Sequence, residues 1–422
     1  MSAVVVTGTG ATCAAGADVA RIWQAMGRAG TRPRPADDPD ARMARPLIYP
    51  APDPAVPFGA APEDGAPGGA VPEDTVPEAR APGPAMPEDP VPGRTTALLL
   101  TAAAEALATA GLPAGASSRP APGRLGVVVG TGMGESGAHE RRRSGQVPVA
   151  PAAHRAVFAV AGDLARSLDA RGPVVSVSNA CAASAYALGE AVELLRSGEC
   201  DVVLACGAES YSRVALACFN RMGAVDAERC RPFAAERGGT VFGEGAAVLV
   251  LETAEHAAAR GASALARVLG TGFSCDADHP TAPSADGAQA ARALREALAD
   301  GGVDPGEVVA VVPHGTGTEH NDLVEARVLA DVFGPRAAAL PLYSLKALIG
   351  HTGGAAGALA AVAAVELLRH RRMPANPDVG RLDPDLVVDL PSTERALPPG
   401  PVVVNAYAFG GNNASVVLAG AA

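Results

Sequence analysis

A chain of 422 residues, 48% of them hydrophobic and 19% charged, is too apolar to stay disordered and long enough for two ordinary cores or one large fused one. Its net charge of −11 offers no basic face to a phosphate backbone and argues against nucleic acid as a partner. No apolar run reaches the roughly 18 residues a bilayer span needs. Residues 1–20 lack a basic start and a cleavage site, and the seven cysteines show no close pairing, so a cytoplasmic protein without a disulfide framework or a membrane segment is expected.

In chain order, the first anomaly is a low-complexity repeat at 57–92, with proline every fifth residue. Such density excludes a helix or a central strand and predicts an extended surface segment, either a weakly selected loop or a docking strip. Beyond it the chain looks written twice. A helix over Thr95–Gly111 leads to a strand at Leu125–Val129 and the turn GTGMG; a helix over Ala288–Gly301 leads to a strand at Val308–Val312 and the turn HGTGT. The strand Val174–Val177 turns at Ser178–Cys181 into a helix carrying AVELLR at 191–196. A strand near Leu342–Leu345 and a glycine-rich turn precede AVELLR again at 364–369, and the chain closes with strands at Val402–Asn405 and Ala414–Leu418 around FGGNN. Repeated β-α units predict two similar α/β halves, 1–255 and 256–422, with buried parallel strands under helices.

Cys181 stands where a buried strand enters a small-residue helix, in VSVSNACAASAYALGEA. A helix N-terminus presents free N–H groups that lower a thiol's pKa, although cysteine is also a common small core residue. His314 opens HGTGT and His351 opens the turn before the second AVELLR helix; these two, of eight histidines, lie at strand ends beside glycine turns. The duplication predicts that His351 holds the place Cys181 holds in the first half. Of 34 basic residues a single one, Lys346, is lysine, either a chance survivor or a site where a forked guanidinium will not serve. His279 with Asp276 and Asp278 lacks the further Cys or His ligands of a metal site. GTGATC at 8–13 and GTGMG at 130–134 fall short of a dinucleotide fingerprint, and no G-x-S-x-G elbow is present.

Cys181 after its strand, RPF at 231–233, FGEGAAVLVLE at 242–252, TAPSADG at 281–287, HGTGT at 314–318, KALIGH at 346–351 and AFGGNN at 408–413 together resemble the β-ketoacyl synthase family of the thiolase-like superfamily. The resemblance covers 1–30 and 95–420. It implies a duplicated five-layered α-β-α-β-α fold and decarboxylative condensation of an acyl thioester with malonyl-acyl carrier protein. It makes Cys181 the nucleophile, His314 and His351 the groups that stabilise the enolate, and Lys346 with Glu325 their support. Backbone N–H groups of Cys181 and Phe409 would form the oxyanion hole, Phe219 and Phe409 would gate the acyl chain, and Thr316 and Thr318 would hold the phosphopantetheine arm. Implied partners are an acyl carrier protein and a second subunit, either a copy or a chain-length-factor-like protein; the Arg141–Arg143 run is either a contact for the acidic carrier or a solvated charged face. No metal or other cofactor is expected, the substrates riding on carrier phosphopantetheine.

FGGNN in place of FGGTN, AYAF in place of SFGF, and HGTGTEHND without a proline are closer to discrete ketosynthases of polyketide or polyene pathways than to fatty-acid enzymes. Three rival readings stand beside this one. A degradative thiolase needs a late second cysteine, and none follows Cys275. A non-elongating chain-length partner usually lacks the nucleophile. An acyltransferase forming an ester would keep the same residues.

Overall fold

A computed structural model of the protein describes residues 3–54, 92–113, 116, 119–145 and 156–421. The proline repeat, but for Pro92, lies outside the described residues, as does His154.

Among the described residues nine strands form one sheet, in the order Ala310–Val312, Val402–Tyr407, Asn412–Gly420, Ala266–Cys275, Val4–Cys13, Gly245–Thr253, Val202–Glu209, Leu125–Gly130, Val174–Val177. The seam is short: Val4–Val6 pair with Ala266–Val268 on one side while the same strand runs its full length along Gly245–Thr253 on the other. Outward from the seam the two halves repeat one pattern, two antiparallel pairings in the first half answering two in the second, then parallel ones. The sheet is therefore mixed, not the all-parallel sheet that the β-α repeat predicts, because Gly245–Thr253 and Asn412–Gly420 return as hairpin-like partners.

Alternation along the strands separates three cores. Val127, Leu204, Val248 and Val250 face the outer helices Arg94–Thr109 and Val160–Ser167. Val311, Val403 and Val417 face the opposite outer helices Ala288–Asp300 and Glu319–Phe333. The intervening residues, Val128, Val203, Leu249, Val404 and Val416, turn inward onto the helices Ala183–Arg196 and Ala356–His370, which lie between the halves. The result is the five-layered arrangement, helix, sheet, helix, sheet, helix. The Ala356–His370 helix is apolar all round from Ala356 to Val365, as a stretch with no solvent face must be, and every residue from Ala356 to Leu367, Glu366 included, is buried.

The strand predicted near Leu342–Leu345 is reduced to isolated parallel bridges, Leu342 with Val311 and Pro341 with Asp389. Val311 donates to Pro341 O and Tyr343 donates to Val311 O; then Leu345–Ile349 closes a helical turn. Proline has no N–H to extend the ladder, and the turn lifts Lys346 off the sheet end.

Candidate active site

Both central helices begin at the same end of the molecule, and the chain reaches each through a strained turn. Before Cys181, Ala180 adopts φ 57°, a left-handed conformation costly for any residue with a Cβ and concentrated at functional sites. A 3-10 turn at Ala180–Ala182 then feeds the helix Ala183–Arg196. In the other half Gly350 has φ 72°, and a Cβ there would lie 2.4 Å from Tyr49 Cδ2, so the residue before His351 has to be glycine. The predicted equivalence of Cys181 and His351 needs correction. The two AVELLR copies start at Ala191 and Ala364, an offset of 173 that matches Cys181 to Gly354. His351 lies three residues earlier, because position 354 packs too tightly for a side chain: its Cβ would sit 2.3 Å from the Gly132 nitrogen.

Cys181, His314 and His351 line one cavity of about 320 Å³, together with Thr316, Thr318, Phe219 and Phe409. The imidazoles of His314 and His351 meet edge to face, centroids 5.5 Å apart. Both are buried, and burial reinforced by the Lys346 charge holds their pKa values well below the ordinary 6.5, leaving neutral rings. Lys346, itself buried and depressed by that burial, places Nζ 3.4 Å from His314 Nδ1 and donates to the His314 carbonyl oxygen. An ammonium donating to Nδ1 leaves the ring proton on Nε2.

Glu325 departs from the expected contact. Its carboxylate accepts the N–H groups of His314 at 2.8 Å and Gly315 at 2.7 Å, with Asn405 Nδ2 at 3.4 Å, rather than pairing directly with Lys346. One turn earlier on the same helix face, Asp322 accepts the N–H groups of Thr316, Gly317 and Phe233. Two carboxylates three residues apart thus fasten the HGTGT turn by its backbone. Burial raises Glu325 to about 7 against these bonds. Thr316 and Thr318 hydroxyls bond each other at 2.8 Å on the cavity wall.

Helix-start chemistry alone predicts a lowered thiol pKa at Cys181. The net effect is the reverse: burial pushes the thiol up to about 12, past the opposing pull of Lys346 and of the Cys181 and Phe409 N–H groups that point at the sulfur. At rest the Cys181 sulfur is a neutral thiol. The Phe219 and Phe409 rings stack 8° from parallel, centroids 5.0 Å apart, beside it. On their other side a second cavity of about 440 Å³ opens, sharing Cys181, Phe219 and Phe409 with the first.

Sequence reasoning missed Glu209. It ends the strand Val202–Glu209, is buried, and accepts N–H groups from Gly132, Met133 and Gly354, tying the first half's GTGMG turn to the second half's glycine turn. Its signal was a charged residue closing an otherwise apolar strand, CGAES. Tyr407 was also missed; its ring lies 5.7 Å from His314 and its buried hydroxyl has no hydrogen-bond partner among the described residues. His279 Nδ1 accepts from Thr281 and Ala282, while Asp276 accepts from Ser284 and Asn413, so both shape a loop. No cluster of three potential metal ligands occurs among the described residues.

The family model for the N-terminal domain of β-ketoacyl synthases matches residues 1–257, and that for the C-terminal domain matches residues 265–379. Nodulation protein E of Rhizobium meliloti is 36% identical over 76% of this chain and 81% of its own. The 3-oxoacyl-[acyl-carrier-protein] synthase 2 of the same species is 35% identical over 69% and 73%. Among solved structures, the ishigamide ketosynthase/chain length factor superposes with a TM-score of 0.84 at 32% identity, each chain covered completely.

Proposed function

We propose, on the premise that this chain belongs to the β-ketoacyl synthase family, a division of the condensing reaction among its residues. The chain is a condensing enzyme of the acyltransferase class, acting in polyketide or fatty-acid synthesis. Cys181 attacks the carbonyl of an acyl thioester. A new C–S bond forms, the old one breaks, and the thiol proton leaves with the departing pantetheine sulfur. The Cys181 and Phe409 N–H groups hold the developing oxyanion. Malonyl thioester then enters the polar cavity past Thr316 and Thr318, with Phe219 and Phe409 as the gate to the second cavity. Its C–carboxylate bond breaks, CO2 departs, and the electron pair moves to an enolate whose oxygen accepts hydrogen bonds from His314 Nε2–H and His351. The enolate attacks the acyl carbonyl, the C–S bond to Cys181 breaks, and the departing thiolate takes a proton from solvent, the one proton the decarboxylative condensation consumes. The electron pair for the new bond comes from the bond lost with CO2, so the chemistry calls for no redox cofactor, and phosphopantetheine arrives on the carrier.

The observation that carries this reading is the convergence of Cys181, His314 and His351 on one cavity. A carrier protein as donor and a dimer as the working unit follow from the same reading. Among the described residues the edge strand Val174–Val177 has one side unpaired and Val174 is 42% exposed, as a strand awaiting a partner would be. The solved ishigamide relative and a Xenorhabdus doucetiae ketosynthase, 26% identical, are each described with a chain length factor. That favours a heterodimer over a pair of copies. No helix among the described residues is long and apolar enough to cross a membrane, and a carrier-borne substrate suits the cytoplasm.

Incubation with acyl- and malonyl-carrier protein, followed by intact mass spectrometry, tests the reading. Wild type acquires an acyl adduct and converts it to a product two carbons longer; Cys181→Ala does neither. An adduct with malonyl-carrier protein left intact would point to ester formation or acyl transfer instead. No adduct, with a chain-length partner also supplied, would remove Cys181 as nucleophile.

A further inference from the structure

Tyr407 ends the strand Val402–Tyr407, two residues before Phe409, and its ring centroid lies 5.7 Å from that of His314. It lines the polar cavity with Cys181, His314 and His351. The residue is only 6% exposed, yet its hydroxyl meets no hydrogen-bond partner among the described residues. A buried hydroxyl left unpaired costs about 1–3 kcal/mol. Phenylalanine would fill the same space without that cost, and it is the residue SFGF carries where this chain has AYAF. A hydroxyl is worth keeping there if a ligand delivers the acceptor. The other polar groups of this wall are engaged. Asn413 Nδ2 donates to Asp276 at 2.7 Å and to Gly411 O at 3.1 Å, Asn321 Nδ2 donates to Asp322 at 3.2 Å, and the Thr316 and Thr318 hydroxyls bond each other. Asp276 also accepts the Ser284 N–H at 3.0 Å, so each of its oxygens already has a donor. Glu325 is held by the N–H groups of His314 and Gly315. Burial, with the charges of Glu325 and Asp276 adding to it, holds the Tyr407 phenol well above its ordinary 10, so it is a donor at every working pH.

We infer that the Tyr407 hydroxyl donates to the carboxylate of the bound malonyl thioester, which makes Tyr407 a specificity-determining residue for the extender unit. The inference rests on the proposed condensing role of this cavity. A malonyl thioester brings two acceptors to the reacting end. Its carbonyl oxygen is taken by His314 and His351, which leaves the carboxylate for the hydroxyl. A neutral donor suits that group. An ammonium in this place would stabilise the carboxylate enough to oppose its loss. A hydroxyl orients it near the two fixed charges of Asp276 and Glu325, and departure as neutral CO2 relieves the repulsion. The bond belongs to the ground state and weakens as charge moves to the enolate, so its removal appears in KM and not as lost kcat. Because the resemblance has phenylalanine at this position, the hydroxyl adds to shared machinery, and its loss weakens extender binding without abolishing condensation.

The test compares full-length wild type with Tyr407→Phe, a chain-length partner being supplied to both if wild type requires one. The ring stays in place. The primer is whichever of acetyl-, butyryl- and octanoyl-carrier protein acylates wild type fastest; it has no carboxylate, so its rate of adduct formation at Cys181, read by intact mass, reports an intact site. Condensation is then followed at saturating primer against malonyl-carrier protein concentration. Tyr407→Phe should raise KM for malonyl-carrier protein on the order of tenfold, the usual loss for a hydrogen bond to a charged group. Both kcat and the acylation rate should stay within about threefold of wild type. A KM rise below about threefold overturns the inference, and if kcat alone falls the hydroxyl acts on the enolate instead. A KM rise matched by an equal slowing of acylation also overturns it, as the mark of a merely structural tyrosine. Wild type that forms no adduct from any of the three primers, or forms one and leaves malonyl-carrier protein intact, overturns the condensing reading and this inference with it.

Discussion

Lys346 reaches two acceptors of one residue, His314 Nδ1 and its carbonyl oxygen, from a buried position. A compact ammonium with three donors does this; a planar guanidinium fork is wider and fixed. Lys346→Arg is therefore expected to lose condensation by roughly 10²–10³, the usual cost of misplacing one charge-stabilising donor. Acylation of Cys181 should persist, so steady-state condensation and adduct mass separate the steps. The neutral histidines carry a second prediction: CO2 release from malonyl-carrier protein should stay level as pH falls through 6.5. A half-drop centred at 6.5 would show ordinary imidazoles. Stability has two opposing contributions. Below pH 6.5 the unfolded chain binds protons that folded His314 and His351 refuse, so stability falls with acidification. Glu209 and Glu325, raised to about 7, bind protons when folded that the unfolded chain releases above 4.5, so they add stability as pH falls from 7 toward 4.5. Glu209→Gln removes one of the compensating groups. Its denaturant midpoint should drop more between pH 7.5 and 5.5 than the wild type's.

At the scale of elements, the central layer depends on small residues. A Cβ at Gly207 would lie 2.7 Å from Ser184 Cβ and 2.9 Å from Ala355 Cα, so the strand end is pressed against both helix starts at once. Gly207→Val should destabilise by about 1–3 kcal/mol, an overpacking cost visible as a lower melting temperature. Much of this layer was legible. The strand Val174–Val177 was read to the residue, and both AVELLR helices follow glycine or alanine turns as their composition implies. The catalytic candidates were legible because they are rare residue types at strand ends. What escaped was long-range pairing. Glu325 and Asp322 bond backbone N–H groups, which have no sequence signature, and Glu209 joins turns more than 200 residues apart. The sense of the Cys181 shift escaped for the same reason, since burial depends on what the other half of the molecule places over the sulfur.

Among the described residues the molecule has one large sheet whose halves share the Val4–Cys13 strand, and its edge strand Val174–Val177 lies far from that seam in strand order. Val174 is exposed in the single chain, so a charge there should leave the monomer folded while opposing edge pairing. Val174→Glu is expected to sediment as a monomer at concentrations where wild type, with its partner if one is required, does not. An unchanged assembly would place the interface elsewhere.

The solitary lysine has a practical corollary. Every other cationic side chain is arginine, so this protein carries one side-chain amine, and in the native state it is sealed beneath His314. Amine-directed reagents should leave the folded side chains untouched and gain one site of modification when the centre opens. The rate of that labelling in native buffer would clock the breathing of the two halves against each other, with no engineered probe.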